Sequence, residues 1–69
     1  MASYYINDNA QVSSGDNEVH VSTCAWLPLI QSKTYLGEYP SCVAAVAKAK
    51  TIYPASDGCA HCCPDCHKG

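Results

Sequence analysis

Between Cys59 and His67, nine positions hold four of the chain's six cysteines and two of its three histidines. Two C-x-x-C pairs follow one another there, Cys59/Cys62 and Cys63/Cys66. Such a pair lets two thiolates turn inward from one tight loop and share a metal ion, which residues remote in sequence complete to four ligands. Zinc bonds of about 2.0–2.3 Å keep neighbouring ligand atoms within about 4 Å of one another. One pair therefore supplies half a site. The segment "HVSTC", with His20 and Cys24 separated by three residues, is the evident donor of the other half. On an unbroken strand these two stand about 13 Å apart at roughly 3.3 Å per residue, so they converge only if the chain turns at Ser22–Thr23. Read this way, the ligands are His20, Cys24, Cys59 and Cys62, with Cys63, Cys66 and His67 as alternates. The cofactor is one structural Zn2+.

The same residues admit other chemistries. "CPDCH", Cys63 to His67, spells the C-x-x-C-H of covalent haem attachment. That chemistry belongs to exported proteins, and the only methionine, the usual axial partner, is Met1. "CPDC" also matches a thioredoxin-like redox pair, but those precede a helix on a βαβ scaffold. Six cysteines also suit a disulfide framework. Two further alternatives remain open: a thiol-reactive protein that uses the 59–66 cluster as alkyl acceptor or redox centre, and a precursor whose residues 1–58 lead a modified C-terminal peptide. His61, between two ligand candidates, reads as a solvated loop residue. Cys42 reads as a small apolar residue near a helix start, and Trp26 with the tyrosines as a miniature core. No Ser/His/Asp arrangement, carboxylate pair or Gly-rich phosphate loop is present, so the reading is not an enzyme.

Size explains why a staple is needed. Sixty-nine residues make one domain, and such a chain buries only about 60% of the surface its unfolded form exposes. Disulfides, a metal or a partner then supply the missing stability. The chain begins with neither a basic region nor an apolar stretch of the kind that marks secretion. The expected compartment is therefore the cytoplasm, where clustered thiols stay reduced and bind metal. No run is long enough to cross a bilayer, so no membrane contact is expected. The net charge is −2, with four lysines and no arginine. Lys33 and Lys68 are isolated, and Lys48 and Lys50 point to different sides of a helix. Without a basic stripe, strong nucleic-acid binding is not expected. The partner expected is another protein.

The elements that must position these residues are short. Residues 1–17 are polar and read as a flexible arm; residues 18–69 form the single cysteine-rich domain. "EVHVS" (18–22) alternates and reads as a strand. Pro28 breaks the pattern. "KTYLGEY" (33–39) is a second strand, with Tyr35 and Tyr39 on one face and Gly37 at a bulge. A helix follows Pro40, with Ser41 as its N-cap and Val43, Val46 and Ala47 as its buried stripe. Pro54 ends it, and "ASDG" turns into the cysteines. The fold class is α+β: a small antiparallel hairpin or short sheet packed on one helix, with a C-terminal cysteine loop.

Taken in order, His20, Cys24, the strand "TYLGEY", the helix "SCVAAVAKAK" and then Cys59 and Cys62 resemble the N-terminal zinc module of the alkylation-repair protein Ada. Residues 18–67 also resemble short bacterial cysteine-rich proteins. The Ada resemblance implies a small zinc-held fold in which a zinc-bound thiolate accepts a methyl group from a DNA phosphotriester. Histidine stands here where that module has its first cysteine, two cysteines are added at the end, and no basic surface is evident. Only the fold and the metal carry over.

Overall fold

Tyr4, Tyr5 and Ile6 are three strand-favouring residues in an otherwise polar segment. In the computed structural model, which describes residues 1–11 and 15–67, they form part of strand β1 (Ala2–Asn7). β1 lies inside the sheet. The strand order is β3-β1-β2-β4, with β2 at Asn17–Val21, β3 at Lys33–Tyr39 and β4 at Ser56–Gly58. The flexible arm expected over residues 1–17 is therefore corrected at residues 2–7 and at Asn17, the first residue of β2. Pairing along both edges satisfies the backbone of β1, and Ile6 is wholly buried, so local polarity is overridden. Residues 12–14 of that arm, and residues 68–69 of the 18–69 domain, lie outside the described residues.

The fold is the small α+β unit expected, with a mixed four-stranded sheet and one helix, α1 (Cys42–Ala49). Its wiring differs from a simple hairpin. β2 and β3 do not pair; β1 runs antiparallel to each and separates them. The "ASDG" segment, expected as a turn, supplies β4, which pairs parallel to β2. In β3 the register slips between its pairings with Tyr4 and Tyr5, next to Gly37 at φ 118°. A bulge with glycine in that conformation adds one residue and reverses which face the next side chains take. Tyr35 consequently packs on Tyr5, with ring centroids 5.2 Å apart, whereas Tyr39 packs on Tyr4 at 6.3 Å. The two tyrosines expected on one face lie on opposite faces.

Helix α1 begins after Ser41, whose extended backbone suits an N-cap although its side chain makes no capping bond. Its buried side is Ala45 and Ala49, flanked by the half-buried Cys42 and Val46, while Val43 is 67% exposed. The buried stripe expected from Val43, Val46 and Ala47 is thus rotated by about one residue. Valine and alanine occupy nearly every helical position, so composition leaves the phase open. Cys42 sets it through a disulfide to Cys66 across a Cα–Cα distance of 6.4 Å. This corrects the reading of Cys42 as a packing residue alone and of Cys66 as an alternate ligand. Closing a loop between residues 24 apart in sequence contributes about 3.5 kcal/mol through the unfolded chain.

The helix covers the sheet face bearing Tyr4, Ile6, Val19 and Leu36. On the other side Cys24, Leu27 and Cys59 form a smaller cluster with Tyr5 and Ile30, and Val21 and Cys62 touch both clusters. Among the described residues no helix is long and apolar enough to cross a membrane.

Asp8, just after β1, is tied to two segments remote in sequence, around residues 32–34 and at Tyr53. Ser32 and Thr34 hydroxyls donate to its carboxylate at 2.9 and 2.7 Å, and the Tyr53 hydroxyl donates at 3.0 Å. These donors hold its carboxyl below the usual carboxylate range, Thr34 most strongly. A depressed folded value means that this stabilisation is present at neutral pH and is lost as pH falls below the ordinary carboxylate value toward the lower folded one. Asp8→Asn should lower the urea midpoint at pH 7, and the gap from the parent should close on acidification toward pH 2. A gap that persists at pH 2 would remove the carboxylate from this role.

Candidate metal centre

Strand β2 presents His20 on the face away from α1, because side chains alternate and Val19 faces the helix. The imidazole is 2% exposed. Immediately after it the chain reverses: the Cys24 N–H donates to the Val21 carbonyl at 2.9 Å, closing a turn at Ser22–Thr23. That is the turn the spacing requires, and it returns the Cys24 sulfur to 3.5 Å from His20 Nδ1.

The other two donors arrive through β4. Parallel register sets Glu18 beside Asp57 and Val19 beside Gly58. One step on, the Cys59 N–H donates to the Val19 carbonyl at 3.0 Å, which seats Cys59 next to His20 on the same face. The chain then winds tightly, with the Cys63 N–H donating to the Cys59 carbonyl at 2.7 Å. That turn brings the Cys62 sulfur to 3.8 Å from His20 Nδ1. A ring nitrogen of His20 and the sulfurs of Cys24, Cys59 and Cys62 all lie within 4.8 Å of one another. A tetrahedron with bonds of about 2.0–2.3 Å separates its donors by about 3.3–3.8 Å. The two histidine–sulfur distances fall at that spacing, and the group could hold a metal ion.

Burial lowers the pKa of His20, favouring the neutral ring that a metal requires. The opposite ring nitrogen, Nε2, lies 3.6 Å from Glu18 Oε1. A carboxylate behind a ligating histidine fixes which nitrogen faces the ion. The residue pattern carried a signal for Glu18 that went unread: it stands two before His20 on a strand, hence on the same face. Burial pushes the Glu18 carboxyl up. The Cys62 thiol is also raised, first by burial and then by its hydrogen bond to Cys24. A cation reverses that preference by stabilising the thiolate directly.

The alternates lie elsewhere. Cys66 is in the disulfide with Cys42. His67 Nδ1 faces the Gly58 carbonyl at 3.1 Å and Asp57 Oδ2 at 3.5 Å. Cys63 is buried in the helix-side core, with its sulfur 3.9 Å from that of Cys62. His61 is exposed and meets Trp26 edge-on, with ring centroids 5.8 Å apart. Trp26 itself is 51% exposed, which corrects its assignment to the core. With Leu29, Ile30 and His61 it borders an open cleft of about 380 Å³ that His20 and Cys59 also line.

No family model matches the chain, and no curated protein or solved structure shows significant similarity to it.

Gly58 carries the cysteine loop over the sheet. A Cβ there would stand 2.7 Å from Cys66 Cβ and 2.9 Å from the Cys63 carbonyl oxygen. Both are nearer than such atoms approach, and one is backbone. Gly58→Ala should therefore cost about 1–3 kcal/mol, the usual range for overpacking, read from the urea midpoint. An unchanged midpoint would show that the loop does not rest on β4.

Proposed function

We propose that this protein is a zinc-stabilised interaction module that docks on another protein, with the metal structural and no catalytic role. The observation that carries the reading is the convergence of one nitrogen and three sulfurs within 4.8 Å from two segments remote in sequence. Three thiolates and an imidazole are a Cys3His donor set, which suits four-coordinate zinc and leaves no open position for substrate. Cys24, Cys59 and His20 are buried, which argues against use of these thiols as open acceptors. The apolar core is small, and a structural zinc site contributes about 10–16 kcal/mol of apparent binding energy to folding. For the partner, the supporting feature is exposed apolar and aromatic surface: Trp26, Leu29 at 70% exposure and Tyr35 at 55%. Aromatic side chains of this kind are enriched where proteins meet.

Native mass spectrometry should find one zinc per chain alongside the Cys42–Cys66 disulfide. Cys24→Ser should abolish zinc uptake and unfold the domain by circular dichroism, because it opens the link between β2 and the terminal loop. A native mass equal to the bare chain less six hydrogens would establish three disulfides and defeat the reading.

The Ada resemblance makes DNA the sharpest contrary partner. Four lysines in a chain of net charge −2 cannot neutralise the roughly 6–10 phosphates contacted by firm binders. Fluorescence anisotropy with a labelled duplex at about 150 mM salt, where surface attraction is largely screened, should give no saturable binding. A dissociation constant below about 1 μM, tighter than ordinary non-specific association, would revive DNA-directed methyl transfer.

A further inference from the structure

Cys63 is a free cysteine outside the four-donor group, 2% exposed and adjacent in sequence to one of its members. Its sulfur is 3.9 Å from the Cys62 sulfur. With bonds of about 2.3 Å, two sulfurs stand about 3.8 Å apart at a tetrahedral angle and about 4.6 Å apart across a linear ion. At 3.9 Å this pair would grip one ion at a bent angle. Cys62 therefore stands between two sets of partners, the cage on one side and Cys63 on the other.

The donor count decides which ion suits the second position. Zinc requires four ligands. Among the described residues, the only set of three or more His, Cys, Asp or Glu side chains grouped closely enough for a metal is the cage itself. Cys66, the other nearby cysteine, is locked to Cys42. Two sulfurs with no third such side chain fall short of the three or four protein ligands that zinc sites use. They suit a soft monovalent ion, which thiolates select and which binds stably between two sulfurs. Cys63 belongs to the helix-side core and Cys62 is half-buried, so water reaches such an ion only from the Cys62 side.

We propose that Cys62 and Cys63 form a soft-metal subsite that shares the Cys62 sulfur with the cage, so that the chain takes up two Cu(I) ions where it takes up one zinc. The proposal rests on the cage reading above and extends it to a second class of metal. On binding, the Cys63 thiol releases its proton to solvent and its sulfur bonds the ion. The Cys62 thiolate bridges both positions. No electron is transferred.

The test is anaerobic native mass spectrometry of the full chain without added thiol, so that the Cys42–Cys66 disulfide persists, seen as a loss of two hydrogens. The probes are zinc chloride and Cu(I) supplied as its acetonitrile complex. The parent should saturate at one zinc, or at two Cu(I). Cys63→Ser should keep one zinc and fall to one Cu(I). Saturation of the parent at one Cu(I), or two Cu(I) retained by Cys63→Ser, would overturn the subsite while leaving the zinc reading intact. Loss of zinc by Cys63→Ser would place Cys63 in the cage and overturn a separate position. A parent that takes two Cu(I) through Cys63 but no zinc would refute the zinc reading alone, and one that takes neither would refute both.

Discussion

The hydrogen bond from the Cys59 N–H to the Val19 carbonyl, 3.0 Å long, fixes where the terminal loop begins relative to His20. It is the last rung of the parallel β2–β4 pairing. A one-residue slip in that register would turn Cys59 to the helix side and Gly58 toward the histidine, because side chains alternate at every step. The close packing of the loop on Gly58 opposes such a slip, since any other residue there meets Cys66 and the Cys63 carbonyl. The donor group is therefore a product of sheet register. Without β4 in place, the second C-x-x-C half has no fixed relation to the first.

The position of the donors also explains how so small a chain holds together. Its apolar residues divide into two clusters on opposite sides of the sheet, and Cys62 and Val21 are packed against both. Neither cluster is large enough to stand alone by burial at about 25 cal/mol per Å². The disulfide fastens α1 to the loop on one side. An ion held by His20, Cys24, Cys59 and Cys62 would fasten the 24–30 segment to the same loop on the other. The cross-links thus meet at the terminal loop, which has little regular structure of its own beyond one 3-10 turn.

Part of this was legible in the residues. Period-two alternation located β2 and β3, and the bulge at Gly37 followed from a glycine amid strand formers. Metal-ligand spacing, together with the turn it demanded after Val21, led to the four side chains that the fold brings together. What escaped was whatever depended on long-range pairing. Tyr4, Tyr5 and Ile6 carry too few apolar residues to announce an interior strand, and β4 is only three residues long. The bulge then placed Tyr35 and Tyr39 on opposite faces, which counting by twos could not anticipate. The helix phase was ambiguous for a similar reason: with valine or alanine at most positions, periodicity alone could not choose between the two faces, and a cross-link to Cys66 did.

That cross-link clarifies the crowding of cysteines at the end of the chain. Two consecutive C-x-x-C pairs look interchangeable in the sequence, yet the fold treats them differently. The first lies at the end of a strand whose register is fixed, so both its sulfurs reach His20. The second begins after the chain has completed a tight turn, with Pro64 opening a 3-10 turn that carries Cys66 back under the helix toward Cys42. Cys62 and Cys63, adjacent in sequence, consequently sit on the boundary between a polar donor group and an apolar core. Burial raises both thiols, and the cost of ionising either in that setting is large unless a cation is at hand. Spacing alone suggests four equivalent sulfurs; strand register, the tight turn and the disulfide make them unequal.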